Sequence, residues 1–131
     1  MTILVGADIQ GIDEVQESID LFGDRYVRRV YTDHEIDECC HYPQRAGAAL
    51  ASRFAAKEAM FKILTAGNPW ASWREVEVRV EFGRPTITLQ GAAAEQAAQQ
   101  GISTISLSLS QSGGTAAAVV VAESTIGSIN R

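Results

Sequence analysis

The chain has 131 residues, of which 46% are hydrophobic and 21% are charged, and its formal net charge is −5. This length predicts one domain with a substantial core, and an acidic chain with scattered basic residues is not expected to bind nucleic acid. The longest apolar run is far below a membrane span and the N-terminus lacks the basic region of a signal peptide, so we expect a cytoplasmic protein that contacts no membrane.

The first predicted element is a short apolar strand from Ile3 to Ile9. Asp8 interrupts this strand where a hydrophobic residue would be expected. A helix follows that should end at Gly23, and the Thr-x-x-Glu capping box of Thr32 to Glu35 should start the next one. The apolar face of the first helix consists of Ile12, Val15, Ile19 and Phe22.

A long helix is predicted from about Gly47 to Thr65, and it carries charges in a segment that otherwise resembles core. The turn residues Gly67-Asn68-Pro69 should end it. On a helical wheel, Glu58 and Lys62 lie one turn apart at the border of an apolar stripe, and Lys57 falls within that stripe. The apolar members of the stripe are Leu50, Phe54, Phe61 and Leu64.

Two interpretations of Glu58 and Lys62 are open on spacing alone. The two residues form an ordinary Glu-to-Lys pair at the i, i+4 spacing, which is common on solvated helices. Alternatively, Glu58 is a metal ligand and Lys62 contacts a phosphate or transfers a proton, because half-buried charges persist where they are paired or bind a metal.

Downstream of the long helix, alternation of residue types predicts a hairpin. Valines alternate with charged residues from Glu75 to Phe82, which indicates a strand with one wet face and with Phe82 on its apolar side. The turn Gly83-Arg84-Pro85 should lead into a partner strand that contains Ile87 and Leu89.

The remaining residues predict a helix, a second hairpin and a short tail. The helix should run from about Ala92 to Gln100, and the hairpin should turn at Gln111 to Gly114. We expect an ordered domain over residues 1–123 and a poorly ordered tail over residues 124–131. Short turns between strand pairs predict an α+β fold with a mainly antiparallel sheet. The paired apolar residues of the second hairpin are Ile105, Leu107 and Leu109 on one strand and Ala117 to Val121 on the other.

Cys39 and Cys40 are adjacent, and adjacent cysteines rarely form a disulfide because the ring would be strained. We expect free thiols in a reducing compartment. A zinc cluster with His34 and His41 is conceivable, but the spacing matches no usual ligand pattern, and an amphipathic helix explains these residues without a metal.

Five motifs in chain order resemble those of the phosphopantetheinyl transferases, in particular the short holo-acyl-carrier-protein synthase type. The resemblance runs nearly from end to end and implies a single-domain fold in which an antiparallel sheet packs against the long helix. The motifs are Gly6-Ala7-Asp8, the segment Arg29 to Glu35, the helix Phe54 to Lys62, the turn Gly83-Arg84-Pro85, and Ser108 to Gln111 followed by the strand Ala116 to Ala122.

The resemblance implies that this chain transfers the 4′-phosphopantetheine arm of coenzyme A to a serine of an apo acyl carrier protein, in fatty-acid or polyketide biosynthesis. It implies Asp8 and Glu58 as ligands of Mg²⁺, with Mn²⁺ as the other candidate ion, and a hard cation suits a diphosphate substrate. Glu58 and Lys62 are the implied catalytic residues. The implied coenzyme A contacts are Arg53, Lys62, Arg84, Pro85, Ser110 and Gln111.

This sequence departs from the family pattern at two places. The family usually has a histidine after Ser110, and Gln111 can donate a hydrogen bond there but cannot titrate. The family usually binds the acidic carrier through basic residues of the first helix, which is acidic here. Either Arg25, Arg28 and Arg29 receive the carrier, or the partner is a specialised carrier protein of polyketide or related secondary metabolism. The resemblance also implies a homotrimer with active sites between subunits.

Two other classes of protein are alternatives to a transferase. A diverged member could bind coenzyme A or a carrier protein without catalysis, and Gln111 and the acidic first helix favour that alternative. An acyltransferase or thioester-handling enzyme lacks support, because the chain has no Gly-x-Ser-x-Gly motif and neither Cys39 nor Cys40 has the surroundings of an activated nucleophile.

Overall fold

The computed structural model describes residues 1–64 and 71–126, which contain five α-helices and five strands. Two 3₁₀ turns, Pro43–Arg45 and Trp73–Glu75, precede α4 and β2 respectively. No helix in the described ranges is long and apolar enough to cross a membrane. The elements in chain order are β1 (Thr2–Gly11), α1 (Ile12–Phe22), α2 (Asp24–Val30), α3 (Asp33–Cys39), α4 (Ala46–Ile63), β2 (Val76–Glu81), β3 (Arg84–Leu89), α5 (Gly91–Gln99), β4 (Ile102–Ser112) and β5 (Thr115–Ser124).

The strands form two antiparallel sheets, as predicted. One sheet has the order β1-β5-β4, and the other is the β2-β3 hairpin. The predicted second hairpin is present, with Leu107 opposite Val120 and Leu109 opposite Ala118. Its turn is shorter than predicted, because Gly113 and Gly114 alone connect β4 to β5, both at positive φ.

Helix α4 packs against the three-stranded sheet and forms the middle of the core. Small residues make this close packing possible: Ala55 and Ala59 are fully buried, and Gly6 of β1 lies directly against the backbone carbonyl of Ala59. Phe54 and Phe61 are only partly buried, so the predicted apolar stripe is just one part of the buried surface of α4.

Two local predictions for helix ends are confirmed. Helix α1 ends at Phe22, and Gly23 caps it with a positive φ of 53°. The capping box of α3 is complete, because the Thr32 hydroxyl accepts from the Glu35 amide at 3.2 Å and the Glu35 carboxylate accepts from the Thr32 amide at 2.9 Å.

The prediction of three helices before the first hairpin is wrong, because the described residues contain four α-helices there. The helix that was missed, α2, has only seven residues. Its inward residues are Tyr26, Val27 and Val30, and two arginines separate Val27 from Val30. A segment this short gives little periodicity to detect.

The prediction for β2 is wrong at two residues. Glu77 was expected on a wet face, yet it is buried and accepts a hydrogen bond from the Arg79 guanidinium at 2.8 Å. Phe82 was expected on the apolar face, yet it is fully exposed at the tip of the hairpin. Phe82 and Gly83 form the turn, and the strand β3 already begins at Arg84.

Replacing Phe82 with asparagine should stabilise the protein by about 1 kcal/mol. The Phe82 backbone has a φ of 54°, a left-handed conformation that strains most L residues by about 1–2 kcal/mol but that asparagine tolerates. Urea unfolding of the Phe82→Asn variant measures the change. The Phe82→Leu variant keeps the strain and should unfold within about 0.5 kcal/mol of the wild type, and equal stability of all three chains would contradict this explanation.

The described residues end close to the predicted domain boundary. Strand β5 includes Ser124, whose hydroxyl donates to the Gln100 carbonyl, and the Thr125 amide donates to the Gly101 carbonyl at 3.0 Å. The remainder of the predicted tail, residues 127–131, and the helix-ending signals at residues 65–69 lie outside the described residues. The division of the chain after residue 123 therefore stays a prediction.

Candidate active site

Asp8 lies on the face of β1 that is directed toward α4. Side chains alternate along the strand, so that Leu4, Gly6 and Asp8 face inward while Val5 and Ile9 are exposed. The contact of Gly6 with the Ala59 carbonyl brings the strand against the helix one turn from Lys62. The Lys62 ammonium consequently donates to the Asp8 carboxylate at 3.1 Å and to the Ala7 carbonyl at 2.7 Å.

Glu58 lies one turn before Lys62 on the same side of α4, but the two residues form no ion pair in the described structure. Lys62 pairs with Asp8 instead, and one oxygen of Glu58 accepts a hydrogen bond from the indole N–H of Trp73 at 2.8 Å. This arrangement disfavours the interpretation of Glu58 and Lys62 as an ordinary surface pair, because each is committed to a different partner.

The carboxylates of Asp8 and Glu58 suit a hard cation such as Mg²⁺. Within the described residues, the second oxygen of each carboxylate accepts no hydrogen bond. No group of three or more His, Cys, Asp or Glu residues that could enclose a metal occurs in residues 1–64 and 71–126. Magnesium commonly uses one or two protein carboxylates together with water and substrate phosphates, so this pair of donors fits it.

A second group of predicted residues lines a cavity of about 300 Å³. Arg53, Pro85, Ser110 and Gln111 all contribute to its wall, whereas Arg84 does not. The structure therefore brings together four of the six residues predicted to contact coenzyme A, and it places Arg84 as an exposed residue at the start of β3.

The side chains of Arg53 and Gln111 in this cavity already form intramolecular hydrogen bonds. The Arg53 guanidinium donates to the Glu38 carboxylate at 2.7 Å, while its buried Nε has no partner among the described residues. The Gln111 side chain donates to the Ala48 carbonyl at 3.0 Å. An anion in this cavity would thus meet a guanidinium whose terminal nitrogens already donate to Ala49, Ser52 and Glu38.

The cavity lined by Arg53, called the Arg53 cavity below, and the group formed by Asp8, Glu58 and Lys62 lie on different sides of α4. Arg53 and Glu58 are five residues apart, which at 3.6 residues per turn separates their directions by about 140°. Asp8, Glu58 and Lys62 are absent from the wall of the Arg53 cavity. One subunit therefore presents two parts of the predicted site separately.

The three arginines predicted to bind a carrier protein are all exposed on α2. Arg28 forms only a loose ion pair with Asp24 at 3.8 Å. Arg25 and Arg29 line a surface cavity with Phe22, and Arg29 also lines a cavity of about 420 Å³ that contains Glu58. A continuous surface thus connects the arginines to the Glu58 carboxylate.

Sequence reasoning missed three residues that surround this site. Lys57 was noted only as a charge within the apolar stripe, but it is fully buried and forms an ion pair with Glu35 at 2.7 Å. Burial lowers the pKa of Lys57, and the Glu35 carboxylate opposes that shift. Trp73, which holds Glu58, follows α4 by ten residues, and no local pattern indicates either contact.

Cys39 and Cys40 are free thiols. Cys39 is buried in the core between α1, α3 and α4, and this burial raises its pKa to about 12. Burial also raises the pKa of Cys40. Neither thiol has the lowered pKa of an activated nucleophile.

The fold agrees with comparisons to known proteins. Residues 4–120 match the family model of the 4'-phosphopantetheinyl transferase superfamily, and the chain belongs to this family. The holo-[acyl-carrier-protein] synthase of Desulforudis audaxviator is 37% identical over 123 residues, which cover 93% of each chain.

Solved structures agree with this assignment. The holo-[acyl-carrier-protein] synthase of Neisseria meningitidis superposes with a TM-score of 0.79 at 34% identity, over 91% of this chain and 96% of that one. The Helicobacter pylori enzyme, solved in complex with coenzyme A, also has a TM-score of 0.79, at 28% identity over 92% of this chain and 100% of that one. The predicted family and α+β fold are confirmed.

Proposed function

We propose that this protein transfers the 4′-phosphopantetheine arm of coenzyme A to a serine of an apo acyl carrier protein. The serine hydroxyl oxygen forms a bond to the phosphorus that carries the pantetheine arm. The bond from that phosphorus to the bridging oxygen breaks, and adenosine 3′,5′-bisphosphate leaves with the electron pair. The serine proton must be accepted during this exchange, and negative charge develops on the leaving phosphate.

The observation that carries the proposal is the ion pair between Lys62 and Asp8, which joins β1 to α4 beside Glu58. Glu58 accepts the serine proton, directly or through a water molecule. Lys62 is half exposed and stabilises the charge on the phosphates. Asp8 and Glu58 would hold Mg²⁺ or Mn²⁺, which supplies neutralisation of the diphosphate.

The Arg53 cavity is the proposed site for the nucleotide end of coenzyme A. Arg53 contributes to its wall, and a guanidinium has a forked geometry suited to phosphate. Pro85, Ser110 and Gln111 complete the wall. The neutral Gln111 side chain supplies a hydrogen bond rather than a charge, and the exposed Arg84, which precedes Pro85 of the wall, would meet phosphates outside the cavity.

Intact-mass measurement of apo carrier proteins tests the proposal. The purified protein, coenzyme A and Mg²⁺ are incubated with a panel of fatty-acid and polyketide carriers. We expect one or more carriers to gain the mass of a phosphopantetheine group. Chelation of the metal and the Glu58→Ala substitution should each abolish the gain.

The same experiment separates the transferase from a binding module. Binding of coenzyme A without a mass gain on any carrier would refute transfer and leave a non-catalytic coenzyme A protein. The identity of the modified carrier would decide between fatty-acid and polyketide biosynthesis. A cytoplasmic location remains part of the proposal, supported by the two free thiols.

We expect the carrier protein to dock on the exposed arginines of α2. Acidic residues of α1, including Asp13 and Glu14, would repel an acidic carrier, whereas Arg25, Arg28 and Arg29 would attract it. Substituting Arg25 and Arg28, which do not line the cavity that contains Glu58, by glutamate should raise the KM for the carrier at least about tenfold. The KM for coenzyme A is the internal control and should not change. An unchanged carrier KM at low salt would place docking elsewhere.

We also propose a homotrimer with active sites between subunits. The outer face of β1 and β5 exposes a continuous apolar surface that a single chain leaves uncovered, including Ile3, Val5 and Val121. The separation of the Arg53 cavity from Glu58 around α4 also favours a site completed by a neighbouring subunit. Light scattering should give three times the subunit mass, and a monomeric active enzyme would refute this assembly.

A further inference from the structure

Lys57 is the only lysine of the described residues that lies fully inside the core, and all three of its ammonium donors have acceptors. The ammonium contacts the Glu35 carboxylate at 2.7 Å, the Trp73 carbonyl at 2.9 Å and the Val76 carbonyl at 2.5 Å. Two of these three acceptors belong to the backbone around the 3₁₀ turn Trp73–Glu75. Lys57 thus anchors that turn to α4.

Glu35 completes the same anchor from α3. It is fully buried, and besides Lys57 it accepts hydrogen bonds from the Thr32 amide at 2.9 Å and the Val78 amide at 2.6 Å. The pair therefore joins α3, α4, the 3₁₀ turn and β2 at one point. Outside the core, Arg74 holds the turn from its other side, because its guanidinium donates to the Arg28 carbonyl at 2.7 Å.

The attraction between the two charges does not by itself account for a buried ion pair at this place, because removing two charges from water costs about as much as their attraction returns. The pair also provides hydrogen-bond partners for backbone groups of the 3₁₀ turn and of β2. What the Glu35–Lys57 pair provides, and an apolar pair would not, is a fixed position for the backbone carbonyl of Trp73.

The Trp73 side chain connects the anchored turn to Glu58. Its indole N–H donates to one oxygen of Glu58 at 2.8 Å, and its ring packs on Phe54 with the centroids 6.0 Å apart. Lys57 and Glu58 are consecutive in α4, so one side chain reaches inward to the backbone of the turn and the other meets the tryptophan that the turn presents. Glu58 and Trp73 line the same cavity.

We propose that Trp73 is a positioning residue that orients the Glu58 carboxylate, and that the buried Glu35–Lys57 pair holds Trp73 in place. The indole N–H occupies one carboxylate oxygen, and the other would be available to the cation and the substrate. This inference rests on the proposed function, in which Glu58 binds the cation and accepts the serine proton. A glutamate without this restraint loses orientation, and such losses at supporting residues commonly lower metal affinity 10–100-fold.

The Trp73→Phe variant tests the hydrogen bond directly, because it keeps an aromatic ring and removes the N–H. We expect Mn²⁺ affinity, measured by paramagnetic resonance in the absence of substrate, and kcat each to fall about tenfold. With Mn²⁺ at saturating concentration, the KM for coenzyme A should stay within about twofold, since the Arg53 cavity is on another side of α4. The matched control is Phe54→Leu, which disturbs the ring packing but keeps the N–H and should retain Mn²⁺ affinity.

The double variant Glu35→Leu/Lys57→Met tests the buried pair. We expect its thermal midpoint to fall, because the Thr32 and Val78 amides and the Trp73 and Val76 carbonyls lose their partners, and we expect the Mn²⁺ affinity of the folded protein to fall about tenfold. Adding Trp73→Phe to it should cause little further loss, because both changes act through the same contact. If the double variant does not fold, the Trp73→Phe measurement decides the inference alone.

The outcomes separate this inference from the function on which it rests. A wild-type protein that neither binds Mn²⁺ nor modifies any carrier refutes the proposed function and the inference with it. A wild-type protein that binds Mn²⁺ and transfers the arm, with a folded Trp73→Phe variant that does both equally well, overturns the inference and leaves the function intact.

Discussion

The Glu58→Gln variant is expected to transfer phosphopantetheine 10²–10⁴-fold more slowly than the wild type, roughly the range found when a general base is removed. The amide of glutamine still accepts a hydrogen bond from Trp73, so the side chain can keep its orientation. It cannot take the serine proton, and it is a poor ligand for a hard cation. Single-turnover rates, followed by intact mass of a modified carrier, give the ratio.

Glu95→Gln is the matched control for this experiment. Glu95 is an exposed residue of α5, and the same loss of one negative charge there should leave the rate within about twofold of the wild type. A Glu58→Gln variant that is nearly as fast as the control would show that Glu58 neither takes the proton nor binds the cation.

The Gly6→Ala variant is expected to lose about 3 kcal/mol of stability together with most of its activity. A Cβ at this position would overlap the Ala59 carbonyl, which is backbone and cannot rotate away. Strand β1 must then move from α4, and Asp8, two residues further along the same face, moves with it. Urea unfolding measures the stability loss, and the carrier assay measures the activity of the folded fraction.

Gly11→Ala provides a control at the end of the same strand. Gly11 has an ordinary φ of −67°, and its added methyl group would meet only the flexible side chain of Glu14. We expect a change below about 1 kcal/mol. Equal effects of the two substitutions would mean that the Gly6 contact has no special importance for the site.

The parts of the fold that could be predicted from sequence depend on local signals. The helix-ending Gly23 and the capping box at Thr32 involve hydrogen bonds between residues at most four positions apart. The alternation of β4 and β5 likewise reports directly which face of a strand is buried. Such signals do not depend on the rest of the chain, so the sequence alone is enough to predict these helix ends and strand faces.

The parts that could not be predicted depend on distant contacts or on very short elements. Helix α2 has too few residues for a clear period. Phe82 resembles the next member of an alternating strand, and only the formation of the turn one residue early places it in solvent. Glu77 is buried although its neighbours suggest a wet face.

In the candidate site, too, the features set by local sequence could be predicted and those set by distant contacts could not. Glu58 and Lys62 were identified from a motif within one helix, whereas the ion pair of Lys62 with Asp8 joins residues 54 positions apart. The helical wheel placed Lys57 correctly inside the apolar stripe. It could not show that Glu35 and Trp73 would surround that ammonium, because these contacts form only when α3 and the 3₁₀ turn pack onto α4.

The two faces of β1 carry different sets of residues, so the strand should not tolerate an insertion or deletion of one residue. Residues at even positions, such as Gly6 and Asp8, face α4, and the residues between them form the apolar outer surface. Deleting or inserting a single residue ahead of Asp8 would exchange the two sets. Ile9 or Ala7 would then occupy the place of a carboxylate, and a charge would enter the apolar surface, so that one lost or gained codon would disrupt both the proposed cation site and the proposed subunit interface.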